Sequence, residues 1–325
     1  MNNNMKKIKY LGVILMAALF AMSCEKHEIA FDSRPADEMA LVQFHNEIPV
    51  PAGVTYNILK VELNGMDVTN GNRVSLASWN SIPTAYGCYY ATNPGVATIK
   101  LYQGTAMNLV YEQSVTLQAG KQGLILYDFN QPPLIVLEPD NFIPDRMSYD
   151  TDTIEYVRFF NLMREEPGVA SNLKLQYQYQ YTLHPLYTLE DAAAGKIPAG
   201  KNVGDATGDA TKSAWLNLGE SLSFGENTGW QLVPIKKTSY VTQGFARVDY
   251  RVKVTQGGVV GTTMTDGDNL LICYDHAGTR WNGYSYYVTT GTIGRRYYHF
   301  FSGYRNIAPN TTTAGGVDIT QFTEK

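Results

Sequence analysis

Leu173-Lys-Leu-Gln-Tyr-Gln-Tyr-Gln-Tyr-Thr-Leu183 alternates apolar and polar side chains without a break. In an extended chain, Leu173, Leu175, Tyr177, Tyr179, Tyr181 and Leu183 share one face, and Lys174, Gln176, Gln178, Gln180 and Thr182 share the other. A helix would scatter these rings around its circumference, so the period of two predicts a strand with one buried and one wet face. The same reading extends outward. Phe245 to Thr255 alternates and stops at Gln256-Gly257-Gly258. Val54 to Leu63 alternates roughly and stops at Asn64-Gly65, a tight-turn pair. Val96 to Tyr102 and Leu109 to Leu117 flank Gln103-Gly104, and Leu124 to Phe129 is a near-continuous apolar run ahead of Pro132-Pro133. Short strands punctuated by Gly, Pro and Asn predict an all-β sandwich or barrel. The one helical candidate is Thr188 to Lys196, with Thr188 as cap and Gly195 as stop.

The chain repeats itself. Val42-Gln-Phe-His-Asn46 is echoed by Val157-Arg-Phe-Phe-Asn161. Val115 to Gly120 followed by Leu124-Ile-Leu-Tyr-Asp128 is echoed by Thr262 to Gly267 followed by Leu271-Ile-Cys-Tyr-Asp275. The offsets are 115 and 147 residues, so the second copy carries about 32 extra residues, assigned to an insertion over 184–215 that ends at Trp215. Matched spacing places Leu124, Leu126, Leu271 and Cys273 inward at equivalent positions. The remaining thiols, Cys88 and Cys273, then fall in different copies and are expected to stay unpaired.

A strand opening Val-x-Phe-x-Asn, a strand ending in Asn-Gly, and Leu-Ile-x-Tyr after an Ala-Gly or Asp-Gly turn resemble the tandem Ig-like repeat domains of unknown function found in bacterial cell-surface lipoproteins. The resemblance covers 38–140, then 152–276 with the insertion, and fits the last fifty residues poorly. It implies two tandem β-sandwich domains, and the family has no assigned activity to carry over to this chain. The expected organisation is a signal peptide over 1–23, a polar tether over 24–37, a first β-sandwich domain over 38–140, a linker over 141–152, and a second over 153–325 with the insertion and a C-terminal extension.

The N-terminus reads as an export signal. Lys6, Lys7 and Lys9 precede an apolar stretch from Tyr10 to Met22, too short to span a bilayer comfortably. Ala21-Met-Ser-Cys24 resembles the bacterial lipobox, which implies a diacylglycerol on the Cys24 thiol and an acylated amino terminus. The partner expected there is a membrane, reached through the lipid anchor, and the expected location is the cell envelope at the outer membrane. Removing 1–23 leaves 23 basic and 30 acidic residues, a net charge of −7. Such a mixed, acidic surface argues against a nucleic-acid partner.

Catalytic signals are thin. None of His27, His45, His184, His276 and His299 lies in a metalloprotease pattern, and there is no nucleophile elbow. Asp275-His276 is an acid–base pair in type, but its repeat mate is Asp128-Phe129. Asp205 to Asp209 and Asp266 to Asn269 offer oxygen ligands near glycine, short of the calcium-loop pattern. No catalytic residue, metal or cofactor is therefore assigned.

Binding is the expected function, of a glycan or of envelope partner proteins. The alternative is a structural or adhesive accessory subunit of a surface filament or complex. The C-terminal end concentrates Trp281, Tyr284, Tyr286, Tyr287, Tyr297, Tyr298, Phe300, Phe301 and Tyr304, with arginines interleaved. Consecutive rings in a strand point to opposite faces, so one of each pair is expected in the core and its neighbour outside it or packed against the other domain. Trp281, Tyr284 and Tyr286 are the candidate ligand-binding platform.

The anchor has a direct test. Cys24→Ala is expected to abolish metabolic lipid labelling and to release the protein from the membrane fraction; a variant still labelled would overturn the assignment.

Overall fold

The computed structural model describes residues 38–49, 57–71, 74–83, 88–138, 153–235, 240–242, 245–257, 268–274, 280–281, 284–292, 295–307 and 316–324. The signal segment, Cys24, the tether, the 141–152 linker, Asp266-Gly267 and Asp275-His276 lie outside them. The described residues belong to one compact unit, Ala36–Lys325.

The first copy is built from β1 (Ala40–Asn46), β2 (Ile58–Leu63), β3 (Met66–Asp67), β4 (Asn80–Ile82), β5 (Tyr90–Thr92), β6 (Gly95–Gln103), β7 (Asn108–Leu117), β8 (Gly120–Leu126) and β9 (Leu134–Leu137). One sheet runs β3-β2-β6-β7. The other runs β4-β1-β8-β9, with β5 also on β1. The β1 and β8 strands pair in parallel, from Ala40↔Gly120 to Asn46↔Leu126. Val42, Phe44, Val61, Leu63, Ile99, Leu101, Leu124 and Leu126 fill the space between the sheets.

The second copy repeats this plan with additions. It runs β10 (Thr153–Glu166), β11 (Val169–Ala170), β12 (Lys174–Leu183), α1 (Leu189–Ala193), β13 (Thr211–Lys212), β14 (Leu216–Asn217), β15 (Gln231–Ile235), β16 (Tyr240–Thr242), β17 (Phe245–Gln256), β18 (Cys273–Tyr274), β19 (Arg280–Trp281), β20 (Ser285–Thr292), β21 (Arg296–Tyr304) and β22 (Asp318–Glu324). The parallel pair β10/β21, from Tyr156↔Arg296 to Arg164↔Tyr304, corresponds to β1/β8. The antiparallel trio β12-β17-β20 corresponds to β2-β6-β7, and β22 to β9. The protein is therefore all-β, with two facing sheets in each copy.

The Val-x-Phe-x-Asn echo has a structural cause. Val42 and Phe44, like Val157 and Phe159, point into their respective cores. The asparagine that follows does the same work in each copy. Asn46 Nδ2 donates to the Leu76 carbonyl (3.4 Å), and its Oδ1 accepts from the Ile48 N–H (3.3 Å). Asn161 Nδ2 donates to the Leu222 carbonyl (3.2 Å), and its Oδ1 accepts from the Met163 N–H (3.3 Å). Leu76 and Leu222 in turn bridge to the opposite sheet, at Ile58 and Leu175. One buried amide thus ties the two sheets of each copy together, with both its nitrogen and its oxygen hydrogen-bonded.

The second echo does not mark equivalent strands. Leu124 lies in β8, whose counterpart is β21, whereas Leu271 lies between β17 and β20: its N–H donates to the Val252 carbonyl (2.9 Å) and its carbonyl accepts from Tyr284 N–H (2.8 Å). Leu124, Leu126, Leu271 and Cys273 are all buried, but not at matched positions. Cys88 and Cys273 are free thiols.

The two copies meet on the backs of their parallel pairs. Ile125 and Val136 pack against Phe160, Leu162, Tyr298 and Phe300, and the His45 ring sits 4.9–5.4 Å from those of Tyr298, Phe300 and Phe322. Polar bonds close this seam. Glu138 accepts from Arg158 Nη1 (2.9 Å), from Trp230 Nε1 (2.9 Å) and from the Tyr298 hydroxyl. Ser302 Oγ donates to Glu47 Oε2 (2.9 Å) and accepts from Trp79 Nε1 (2.9 Å). Burial pushes the Glu47 carboxyl well above its ordinary range, against the opposing bond from Ser302.

Two buried histidines set an acid limit. Desolvation lowers both His45 and His299 to about 3; His299 lies in the second core, with Nδ1 3.0 Å from the Tyr177 hydroxyl. An unfolded histidine titrates near 6.5. Between pH 6.5 and 3 the unfolded chain takes up protons that the folded chain refuses, so these histidines destabilise the fold as pH falls through that window. Glu47 acts in the opposite sense, since its folded form holds the proton more tightly. At pH 5 each histidine costs roughly 2 kcal/mol. In His299→Phe, the stability difference between pH 7 and pH 5, from urea denaturation, is expected to shift by about that amount relative to wild type. An unchanged pH dependence would refute it.

Candidate functional site

The C-terminal rings divide as alternation requires. Tyr297 and Phe301 face the second core, while Tyr298 and Phe300 face the seam against the first copy. Tyr304 is also buried, and its hydroxyl donates to the Pro49 carbonyl (3.2 Å). The expected solvent-facing platform fails at Tyr284. That ring is fully buried, packs edge-on against Phe301 at 4.9 Å, and donates its hydroxyl to Asp318 Oδ1 (3.0 Å). Its backbone is clamped between Val252 and Leu271, which directs the side chain between the sheets. Burial pushes its hydroxyl well above the ordinary tyrosine range. Trp281 pairs with Cys273 and Tyr286 with Tyr250 through the backbone; both side chains lie outside the described residues.

The accessible polar site is instead the outer face of the β13/β14-β12-β17 sheet. The insertion makes it. Beyond β12 the chain folds back on itself, with Tyr187 N–H donating to the Asp205 carbonyl (2.9 Å) and Thr207 N–H to that of Pro185 (2.8 Å). Thr188 caps α1 as expected, accepting from Asp191 N–H (3.1 Å). Asp205 Oδ2 accepts from Asn202 N–H (2.8 Å), so this carboxylate closes the loop. The returning chain then lays β13 and β14 along β12 and carries Trp215 onto its wet face.

Three strands contribute one row of that face. Arg251 Nε on β17 donates to Gln178 Oε1 on β12 (2.7 Å), and Gln178 Nε2 donates to Asn217 Oδ1 on β14 (2.7 Å). The Arg251 guanidinium lies 4.3 Å from the centre of the half-buried Trp215 ring, a cation–π contact. In the adjacent row Lys212 pairs with Asp249 and donates to Thr182 Oγ1 (2.7 Å), while Gln180 Nε2 donates to the Ser213 carbonyl (2.5 Å).

The equivalent face of the first copy is built otherwise. Lys60 pairs with Glu62, Lys100 with Glu112 (3.0 Å), and the Tyr102 hydroxyl donates to Glu62 (2.9 Å). The bond from Lys60 is the main cause holding the Glu62 carboxyl below its ordinary range. That face is a self-neutralising ion ladder. The second copy presents amides, a guanidinium and an indole, groups that offer donors, acceptors and a flat apolar surface together. Among the described residues no group of three or more His, Cys, Asp and Glu could hold a metal ion. The sequence flagged the insertion and its terminal Trp215, but not that Arg251 and Gln178 would join it, because their pairing is set by register across strands some seventy residues apart.

The fold defines an all-β protein with two sandwich-type units in tandem. No family model matches the sequence, and no curated protein matches it. Among solved structures, the chain is similar to a "putative cell adhesion protein" from Bacteroides fragilis, at 9% identity and a TM-score of 0.25, covering 88% of this chain and 98% of that one. It is also similar to a "putative cell adhesion protein" from Bacteroides eggerthii, at 8% identity and a TM-score of 0.23, covering 91% and 98%. Likeness at this level assigns no activity to the chain.

The two aromatic positions should separate in urea denaturation. Tyr284→Ala is expected to cost about 3–5 kcal/mol, as for truncation of a buried ring, and Trp215→Ala less than about 1 kcal/mol. Equal losses would make Trp215 a structural residue and not a surface one.

Proposed function

We propose that this is a non-catalytic binding protein of the bacterial cell envelope that recognises a glycan through the outer sheet face of its second copy. In this reading residues 1–23 export the chain and lipid on Cys24 holds it at the outer membrane. The observation that carries the proposal is the Trp215–Arg251–Gln178–Asn217 row. A sugar ring has an apolar C–H face and an equatorial girdle of hydroxyls. An indole accommodates the first, while planar amides and a guanidinium bond the second in both directions. The ion ladder of the first copy is open to solvent, so water competes with a ligand for its charges.

The alternative, a structural or adhesive accessory subunit, has its own support. The seam joins both copies into one compact unit through buried aromatic and ionic contacts, as a spacer in a surface assembly requires.

A glycan array probed with the chain lacking residues 1–24 decides between them. Wild type is expected to bind a defined set of glycans, and Trp215→Ala and Arg251→Ala to lose at least about tenfold in affinity for that set. No binding by wild type, or binding that both variants retain, would remove the glycan reading and leave the spacer role.

A further inference from the structure

We propose a second binding site, in the cleft where the two copies meet, that takes a single neutral pyranose ring. Its walls come from both copies: Pro49, Tyr127, Asp128, Phe129 and Asn130 from the first, Arg164 and Tyr304 from the second. The site is distinct from the outer sheet face and does not depend on it.

Charge decides the class of ligand. Arg164 alone would call for an anion, and Asp128 alone for a cation. They are paired, Arg164 Nη2 to Asp128 Oδ2 at 2.7 Å, so the cleft is balanced. Both are held in place. Arg164 lies beneath the rings of Phe224 (5.1 Å) and Tyr127 (5.9 Å), and Asp128 Oδ1 accepts from Asn130 N–H (2.8 Å). A guanidinium and a carboxylate fixed side by side present donors next to acceptors, with the exposed Asn130 supplying its own amide of both kinds at the mouth. The ligand that uses such an array is uncharged and carries adjacent groups that both donate and accept, which describes vicinal hydroxyls.

Shape points the same way. Ile48, Pro49, Phe129 and Pro167 give the cleft apolar walls, against which the C–H face of a sugar can lie. The volume is about 170 Å³, below the roughly 300 Å³ at which pockets for drug-sized ligands begin. One ring fits and a folded oligosaccharide does not. Junctions between units are also where such sites form most readily.

The test uses the chain lacking residues 1–24 in a Trp215→Ala background, so that loss of the outer face is not mistaken for loss of the cleft. Saturation-transfer NMR is run against methyl glycosides of the common neutral hexoses, 6-deoxyhexoses and N-acetylhexosamines. Transfer to at least one of them is expected. Asn130→Trp, which fills the mouth while keeping the backbone N–H that Asp128 uses, should abolish it. Asn130→Ala should weaken binding by about tenfold, as for loss of one hydrogen-bonding side chain. No transfer from any glycoside would overturn the proposal. So would a signal that survives Asn130→Trp or, if that variant does not fold, an affinity unchanged in Asn130→Ala.

Discussion

A strand covered on both faces must find partners inside the protein for the polar groups it carries, and β21 is such a strand. All nine of its residues, Arg296 to Tyr304, are buried. One face lies against its own core and the other against the first copy. The backbone is satisfied by β10 on one side and β22 on the other. The side chains are harder to place, because Arg296, His299 and Ser302 are interspersed with rings. Ser302 is met by Glu47 and Trp79, and His299 by Tyr177. The Tyr298 hydroxyl is met by Glu138, which also receives Arg158 and Trp230. Removing one partner of a buried, hydrogen-bonded ion pair typically costs about 3–5 kcal/mol. The Glu138 hub therefore links the fold of the second copy to the presence of the first.

The same burial explains why the histidines are neutral. His45 and His299 lie on the central strands of their sheets, where water cannot reach the imidazolium form. Each has one ring nitrogen within bonding distance of a hydroxyl, Ser81 for His45 and Tyr177 for His299. This supports the neutral tautomers without compensating a charge. The placement of Gly123 follows. A side chain there would bring a Cβ to 3.3 Å from His45 Nε2, an imidazole already packed against Tyr298, Phe300 and Phe322.

What could be read from the sequence depended on how many faces each strand buries. The β12 strand keeps its apolar side chains on one face and its polar ones on the other, so its alternation declares both its type and its orientation. Val-x-Phe-x-Asn was legible because its asparagine performs the same bonding task twice. By contrast β21 buries both faces and has no period to read. Its partnership with β10 spans about 140 residues and rests on parallel pairing that no local signal encodes. That is why Leu271-Ile-Cys-Tyr, a better match in letters, reads as the mate of β8. The burial of Tyr284 is hidden from its local sequence for a related reason. Small neighbours leave a ring uncovered along its own strand, but here the cover comes from Phe301 and Asp318, on strands paired elsewhere in the chain.

Comparing the copies shows where the fold was free to vary. The strands that meet at the seam are constrained from two sides, and there the copies keep the same topology and the same asparagine. The outer sheets are constrained from one side only, and there they diverge. In the first, Lys60, Glu62, Lys100 and Glu112 neutralise one another along the sheet. In the second, glutamines replace the ions on β12, and the insertion between β12 and β14 brings an indole to rest on Arg251. The ion ladder is open to water, which competes for its charges and leaves a neutral ligand little to gain there. Two amides and a guanidinium bonded in a row across three strands keep further hydrogen-bonding capacity, and their mutual bonds fix their geometry before any ligand arrives. That preorganisation lowers the ordering cost of binding, and of the two outer sheets, among the described residues, the second copy's has it.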